Sequence, residues 1–365
     1  MGDVLEYKCP SCGGKIEFDS SSQNMRCPYC NSEFEVEALK QYNINLQSDK
    51  KDDYSWGEFE NKGWTEREQE NIANYSCPSC GGEIICEQTT AATHCPYCGN
   101  PAIISKQFSG LYKPDFVIPF KLDKKDAKTA LNKHYKGKHL LPKAFKQDNH
   151  IDKITGMYVP FWLYDCSAGA HMRFKATKVH FWSDSNYNYT KTDYYSVIRE
   201  GNAGFMRIPA DGSKKMDNML MDSVEPFDYN GLKEFDTLFM SGYVADKYDD
   251  DAEACKPRIN ERVKNSIEKL LRDTATGYSS CVTENSYVKL NGGNVDYALL
   301  PIWMLNTKYK DKMYTFVMNG QTGKFIGDLP VDWGRFTVWL LGLLFGISIL
   351  GTAGLYFINM MRWWW

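Results

Sequence analysis

Cys9-Pro10-Ser11-Cys12-Gly13-Gly14, paired with Cys27-Pro28-Tyr29-Cys30 across fourteen intervening residues, is the stretch on which the rest of the sequence turns. It recurs 68 positions later as Cys77-Pro78-Ser79-Cys80-Gly81-Gly82 and Cys95-Pro96-Tyr97-Cys98, with the same gap of fourteen. Zinc takes four soft ligands in a tetrahedron, and two CxxC knuckles joined by a short hairpin deliver four thiolates without any other core. Redox CxxC pairs stand singly beside a βαβ pattern, whereas these come as doublets. The expected ligands are Cys9, Cys12, Cys27 and Cys30, then Cys77, Cys80, Cys95 and Cys98, for two Zn2+ per chain. Each set is complete, which leaves no open position for water and makes the sites structural. Cys86 and His94 lie inside the second copy and could stand in for a ligand, but neither is needed. The double glycines let the backbone fold tightly behind each first knuckle. A structural zinc contributes on the order of 10–16 kcal/mol, so each metal is expected to serve as its own ribbon's core.

Beyond the ribbons the chain has 365 residues, 12 cysteines, 43 Lys+Arg against 46 Asp+Glu, and 14% aromatics, enough apolar surface for a core that is not metal-held. That excludes a pure zinc-finger array and a disordered chain. No secretory signal opens it, so Cys166, Cys255 and Cys281 are expected to be small buried hydrophobes in a reducing compartment. Residues 1–40 read as ribbon 1, 41–74 as a polar linker whose Trp56, Phe59 and Trp64 can dock, and 75–110 as ribbon 2. Residues 111–332 then form an α+β domain, and 333–365 an anchor.

Within 111–332, residues 123–136 and 257–273 carry helical patterns. In the second, Pro257 suits a first turn, and Ile259, Val263, Ile267, Leu270 and Leu271 recur at helical spacing. Strand signals occur at 170–174, 193–199, 297–309 and 312–318, with hairpin turns at Asn291-Gly292-Gly293-Asn294 and Asn319-Gly320-Gln321-Thr322-Gly323. The expected fold class is α+β, an antiparallel sheet with segregated helices. Ile118-Pro119-Phe120, Val159-Pro160-Phe161-Trp162 and Leu300-Pro301-Ile302-Trp303 read as prolines at strand entries or as traces of a duplicated half-domain.

Residues 336–358 form 23 positions without a charge, flanked by Arg335 and Arg362. As a helix they reach about 34 Å, the depth of a bilayer core. Trp333, Trp339, Trp363, Trp364 and Trp365 sit where interfacial aromatics belong. A single C-terminal transmembrane helix with the soluble part in the cytosol is expected, and Gly342 and Gly346 form a GxxxG pair on which a homo-oligomer could close.

Charge narrows the partners. Residues 1–110 carry 9 Lys+Arg and 17 Asp+Glu, a net of −8 that repels nucleic acid. Residues 111–180 carry 14 and 6, a net of +8. Lys121, Lys124, Lys125, Lys128 and Lys133 mark this stretch as a candidate lipid or partner surface, against the plainer reading of a solvated helix face. No GxxxxGK[ST], GxSxG, HExxH or GxGxxG occurs, and the chain is not expected to be an enzyme.

The duplicated CPxCGG and CPYC ribbon, the tyrosine-rich middle and the single C-terminal span together resemble bacterial membrane-anchored double zinc-ribbon proteins, whose ribbons are of the transcription-factor-IIB type. Genes of that family often sit beside phage-shock and flotillin-like (SPFH) genes. The resemblance implies an adaptor that recruits such proteins to the membrane under envelope stress. It assigns the eight cysteines as zinc ligands and nothing in the middle domain. The alternative function is a nucleic-acid-associated regulatory factor held at the membrane.

Overall fold

The computed structural model describes residues 8–40, 51–60, 63–88, 94–101, 104–106, 112–146, 151, 153–310 and 312–362. The expected linker over 41–50 and 61–62, and the three terminal tryptophans, lie outside the described residues. The architecture is α+β with two four-cysteine clusters and one apolar C-terminal helix. Two compact units divide the chain: Met1–Phe59, Tyr164–Ile208 and Lys256–Val295 in one, Glu60–Leu163, Pro209–Cys255 and Asp296–Trp365 in the other. These units cut across the segments marked in the sequence, since residues 111–332 contribute to both.

In the second unit a sheet runs in the order Lys233–Glu234, Phe116–Val117, residues 296–309 of Ser280–Tyr309, residues 155–163 of Thr155–Ser183, Val244–Asp246, Glu83–Glu87, Ile72–Ser76 and Ile104–Lys106. Most of its pairings are antiparallel, as expected; Val244–Asp246 runs parallel to Thr155–Ser183, and Phe116–Val117 parallel to Ser280–Tyr309. The central strands are covered on both faces, which their alternation makes visible. Met157, Val159, Phe161, Leu163, Leu300 and Ile302 point into one apolar layer with Met221 and Val224 of the helix Asn218–Val224. Trp303, Leu305, Phe316 and Met318 point into another with Ala127, Leu131 and Tyr135.

The latter three residues recur at i, i+4 and i+8 of Lys124–Tyr135, the helix expected over 123–136. Asp123 caps it in a reciprocal capping box with Asp126. The turn at 319–323 is also as expected: Asn319 Oδ1 accepts from the backbone N–H of Gln321 and Thr322, both at 2.9 Å, and Lys312–Asn319 returns against Phe325–Gly327.

Four details differ from expectation. The strands are longer than their sequence signals, because Ser280–Tyr309 continues through Asn291-Gly292-Gly293-Asn294 instead of turning there. Gly292 takes φ +62° and Gly293 packs its bare Cα against the Trp56 ring, so the glycines serve a local twist and a close approach within a strand. The helix starts at Ala252, not Pro257, because Asp251 Oδ1 accepts from Ala254 N at 2.8 Å and caps it earlier, leaving Pro257 in the interior. Leu270 is exposed, so the buried stripe is Ile259, Val263 and Ile267. Pro160 and Pro301 lie inside strands, not at their entries; the carbonyl of each accepts from a glycine N–H, Gly212 and Gly320, at 2.9 Å.

In the first unit, Glu17–Asp19, Asn24–Arg26 and Glu33–Phe34 form a separate three-stranded sheet. Part of the expected linker is docked in this unit: Asp53–Tyr54 pairs with Lys289 and Leu290, Asp52 Oδ2 accepts from Lys264 at 2.7 Å, and Trp56 Nε1 donates to Asn260 at 2.8 Å. In the second unit, Trp64 stands edge-on to Phe235.

The C-terminal helix runs Trp333–Arg362, and Trp333–Tyr356 is long and apolar enough to cross a membrane. Asp332 Oδ1 accepts from Gly334 N at 3.1 Å at its start, and Arg335 Nη1 donates to the Leu141 carbonyl at 2.7 Å.

Candidate metal centres

Each knuckle is built the same way. The first cysteine accepts at its carbonyl from the N–H four residues on: Gly13 to Cys9 at 2.8 Å, Asn31 to Cys27 at 2.9 Å, Gly81 to Cys77 at 2.8 Å and Gly99 to Cys95 at 2.9 Å. The donor in every case is the residue after the second cysteine, and it has positive φ: +75°, +56°, +68° and +74°. That left-handed turn needs Gly or Asn, and the sequence provides one or the other each time. It swings the two thiols of a knuckle to the same side.

The sulfurs then meet across the hairpin. Cys9 and Cys30 lie 3.6 Å apart and Cys12 and Cys27 3.5 Å; Cys77–Cys98 and Cys80–Cys95 are both 3.6 Å. Within each quartet all ligand atoms fall inside 4.8 Å of one another. A tetrahedron with Zn–S near 2.3 Å has edges of about 3.8 Å, so both donor sets fit zinc. The eight cysteines named from the sequence are thus brought together as two groups of four. In the first group the Ser32 hydroxyl, aided by the Ser32 backbone, draws the Cys30 thiol down, while burial holds the Cys9 thiol up. A deprotonated thiolate is the form that binds metal.

The second glycine of each pair has a role not evident from spacing. A Cβ on Gly14 would stand 2.7 Å from Tyr29 Cδ2, and one on Gly82 would stand 2.6 Å from Tyr97 Cδ2. The tyrosine of CPYC therefore lies against the second glycine of CPxCGG, which links the two halves of the repeat. Tyr29 is 74% exposed, whereas Tyr97 packs against the main core.

Cys86 and His94 stand apart from the metal sets. Cys86 is fully buried in the main core, and burial pushes its thiol up to about 11. His94 Nε2 approaches Thr155 Oγ1 at 3.4 Å. Of the other cysteines, Cys166 and Cys255 are buried, while Cys281 is only half-buried.

Partners that the motif does not reveal surround ribbon 2. Asn306 Nδ2 donates to the carbonyls of Pro96 and Tyr97, both at 2.9 Å, and Lys215 Nζ donates to the Cys80 carbonyl at 2.7 Å. Asp246 is buried near Tyr97; burial pushes its carboxyl up to about 7, with the Ser213 and Tyr97 hydroxyls pulling the other way.

The lysines are less uniform than the sequence suggests. Lys124, Lys125, Lys128 and Lys133 all lie on Lys124–Tyr135, with Lys128 half-buried and the others exposed. Lys121 precedes the helix and pairs with Asp228 at 3.8 Å.

No family model matches the chain, and no solved structure does. It is 34% identical over 343 residues to a Bacillus subtilis (strain 168) protein described as "Uncharacterized protein YdjG", covering 94% of this chain and 95% of that protein.

Proposed function

The chain belongs to the family that includes YdjG of Bacillus subtilis, and from that premise we propose that it is a membrane-tethered adaptor whose two zinc ribbons and α+β domain recruit partner proteins to the cytosolic face of a membrane. The observation that carries this reading is the pairing of two closed four-cysteine sets with one apolar helix hydrogen-bonded at its start to the folded domain. Closed sites hold shape without offering a coordination position for chemistry. Four-thiolate sites persist where thiols stay reduced, which supports a cytosolic soluble part. The resemblance drawn from the sequence favours SPFH/flotillin-like or phage-shock proteins as the partners and envelope stress as the setting. The net of −8 over residues 1–110 weighs against the nucleic-acid alternative.

The test is purification of the full chain from native membranes in mild detergent, with identification of the proteins that co-purify. An SPFH-like or phage-shock partner that is lost when Cys9→Ser removes one metal supports the adaptor reading. Micromolar duplex-DNA binding at physiological salt by the same preparation would replace it with the regulatory one. Orientation is read separately: an impermeant thiol reagent added to intact cells should leave the cysteines unlabelled.

A further inference from the structure

We propose that the groove at the base of the C-terminal helix holds one acyl chain of an anionic phospholipid, with its phosphate at Lys138. The proposal rests on the membrane-tethered reading, in which the helix spans a bilayer. The groove encloses about 510 Å³ and is walled by Leu140, Leu141, Leu329, Val331, Trp339 and Leu343, with Lys138 and His139 at its rim.

Three observations select this occupant. The first is depth. Asp332 N donates to the Leu140 carbonyl at 2.8 Å where the helix leaves the domain, and the wall continues to Leu343, ten residues into the helix. That is about 15 Å along the axis, so one end lies at headgroup level and the other in hydrocarbon.

The second is charge. Residues 127–147 contain six lysines and no acid. Lys138 and His139 are exposed, while Asp332 is engaged by Arg335 and the first helical N–H groups. A cationic rim over an apolar wall complements a phosphate attached to a chain. The Trp339 ring, 5.6 Å from the His139 ring, adds the amphipathic aromatic that favours this depth.

The third is shape. Trp339 and Leu343 also line a second trench of about 420 Å³ that passes Gly342 and Gly346. A Cβ at either glycine would meet nothing within 4 Å. The two hollows share residues and together run down the helix, a course that suits an extended chain better than a compact ligand.

The experiment uses the full-length chain in nanodiscs of phosphatidylcholine with and without phosphatidylglycerol, released into native mass spectrometry. One phosphatidylglycerol should be retained in preference to phosphatidylcholine. Lys138→Glu should lower that retention roughly tenfold by removing one cation and adding an anion. Leu340→Trp, a substitution at a lining position 44% exposed, should obstruct the groove and lower retention of either lipid. Lys269→Glu, at an exposed position of Ala252–Asp273, should change nothing. Equal retention of the two lipids, or retention indifferent to Lys138→Glu, overturns the proposal. So does a lipid-free dimer lost on Gly346→Leu, which gives the trench to a second copy. Alkaline carbonate extraction separates the two readings: chains that stay with the membrane while lipid retention is indifferent sink only the groove, and release of the wild-type chain sinks both.

Discussion

The two ribbons share cysteine spacing, knuckle geometry and the tyrosine-on-glycine contact, yet their strands are engaged in different ways. Among the described residues, ribbon 1 pairs its three strands only with one another and closes a small core of Cys9, Ile16, Cys27 and Leu39. Ribbon 2 has Glu83–Glu87 hydrogen-bonded to Val244–Asp246, and its Ile84 and Cys86 belong to the main core with Met157 and Phe161. The same metal motif carries in one place a sheet of its own, tied to its surroundings by contacts such as Lys175 Nζ to the Ser11 carbonyl at 3.4 Å, and in the other forms an edge of a large sheet. The consequence of losing a metal is therefore set by the neighbours of the motif, not by the motif.

The largest expected effect breaks this comparison most directly. Cys77→Ser should lower the main unfolding transition of the second unit, whereas Cys9→Ser should remove one zinc and leave that transition in place. Each isolated site is worth on the order of 10–16 kcal/mol, so calorimetry with elemental analysis resolves the two. Equal effects would mean that the ribbons are equivalent after all.

Next comes the buried carboxyl beside ribbon 2. Asp246 is held at about 7 by burial, above its ordinary value of 3.8. An acid whose folded pKa is raised costs stability wherever the unfolded chain ionises it, so the cost appears above about pH 4 and stops growing past about 7. Asp246→Asn should flatten the fall in stability across that window, by on the order of a few kcal/mol at neutral pH. A urea-midpoint series against pH checks it, and an unchanged slope would rule it out.

Asn306→Ala removes both bonds to the Pro96 and Tyr97 carbonyls, leaves Thr315 without its acceptor, and should cost about 1–3 kcal/mol. Zinc at ribbon 2 should become easier to extract with a chelator, while ribbon 1 keeps its rate. The smallest effect is also the sharpest contrast. Gly82→Ala pushes a methyl into a tyrosine ring packed against the core and should cost about 1–2 kcal/mol. Gly14→Ala meets a tyrosine that is 74% exposed and free to swing, and should cost under about 0.5 kcal/mol in denaturant titration.

The cysteine quartets, the helix over Lys124–Tyr135 and the apolar C-terminal helix were legible because each rests on a local rule: ligand spacing, a capping box with helical burial, or an unbroken run of apolar residues. The Asn291-Gly292-Gly293-Asn294 turn misled because a glycine pair in a strand has the same composition as a glycine pair in a hairpin; only the Trp56 ring, more than 200 residues distant in sequence, distinguishes them. The attachment of ribbon 2 was hidden for the same reason. It depends on Val244, Lys215 and Asn306, none of which carries a signature, and on strand pairing between segments far apart in the chain. The helix start at Ala252 was obscured by Pro257, since a proline fits a first turn better than an interior, whereas here the cap at Asp251 sets the start five residues earlier.

The bonds that Asp332 N and Arg335 Nη1 donate to the Leu140 and Leu141 carbonyls join the folded part directly to the first turn of the C-terminal helix. A flexible linker of n residues would let the domain wander over roughly 5–6 Å × √n. On the membrane-tethered reading proposed above, so short a connection would hold the residues around Leu140 and Leu141 close to one height over the lipid. A membrane-bound partner of the proposed adaptor would then search for it by lateral diffusion in a plane instead of through a volume. Such an encounter would be governed by surface density, and a partner approaching at the wrong height would find nothing to hold.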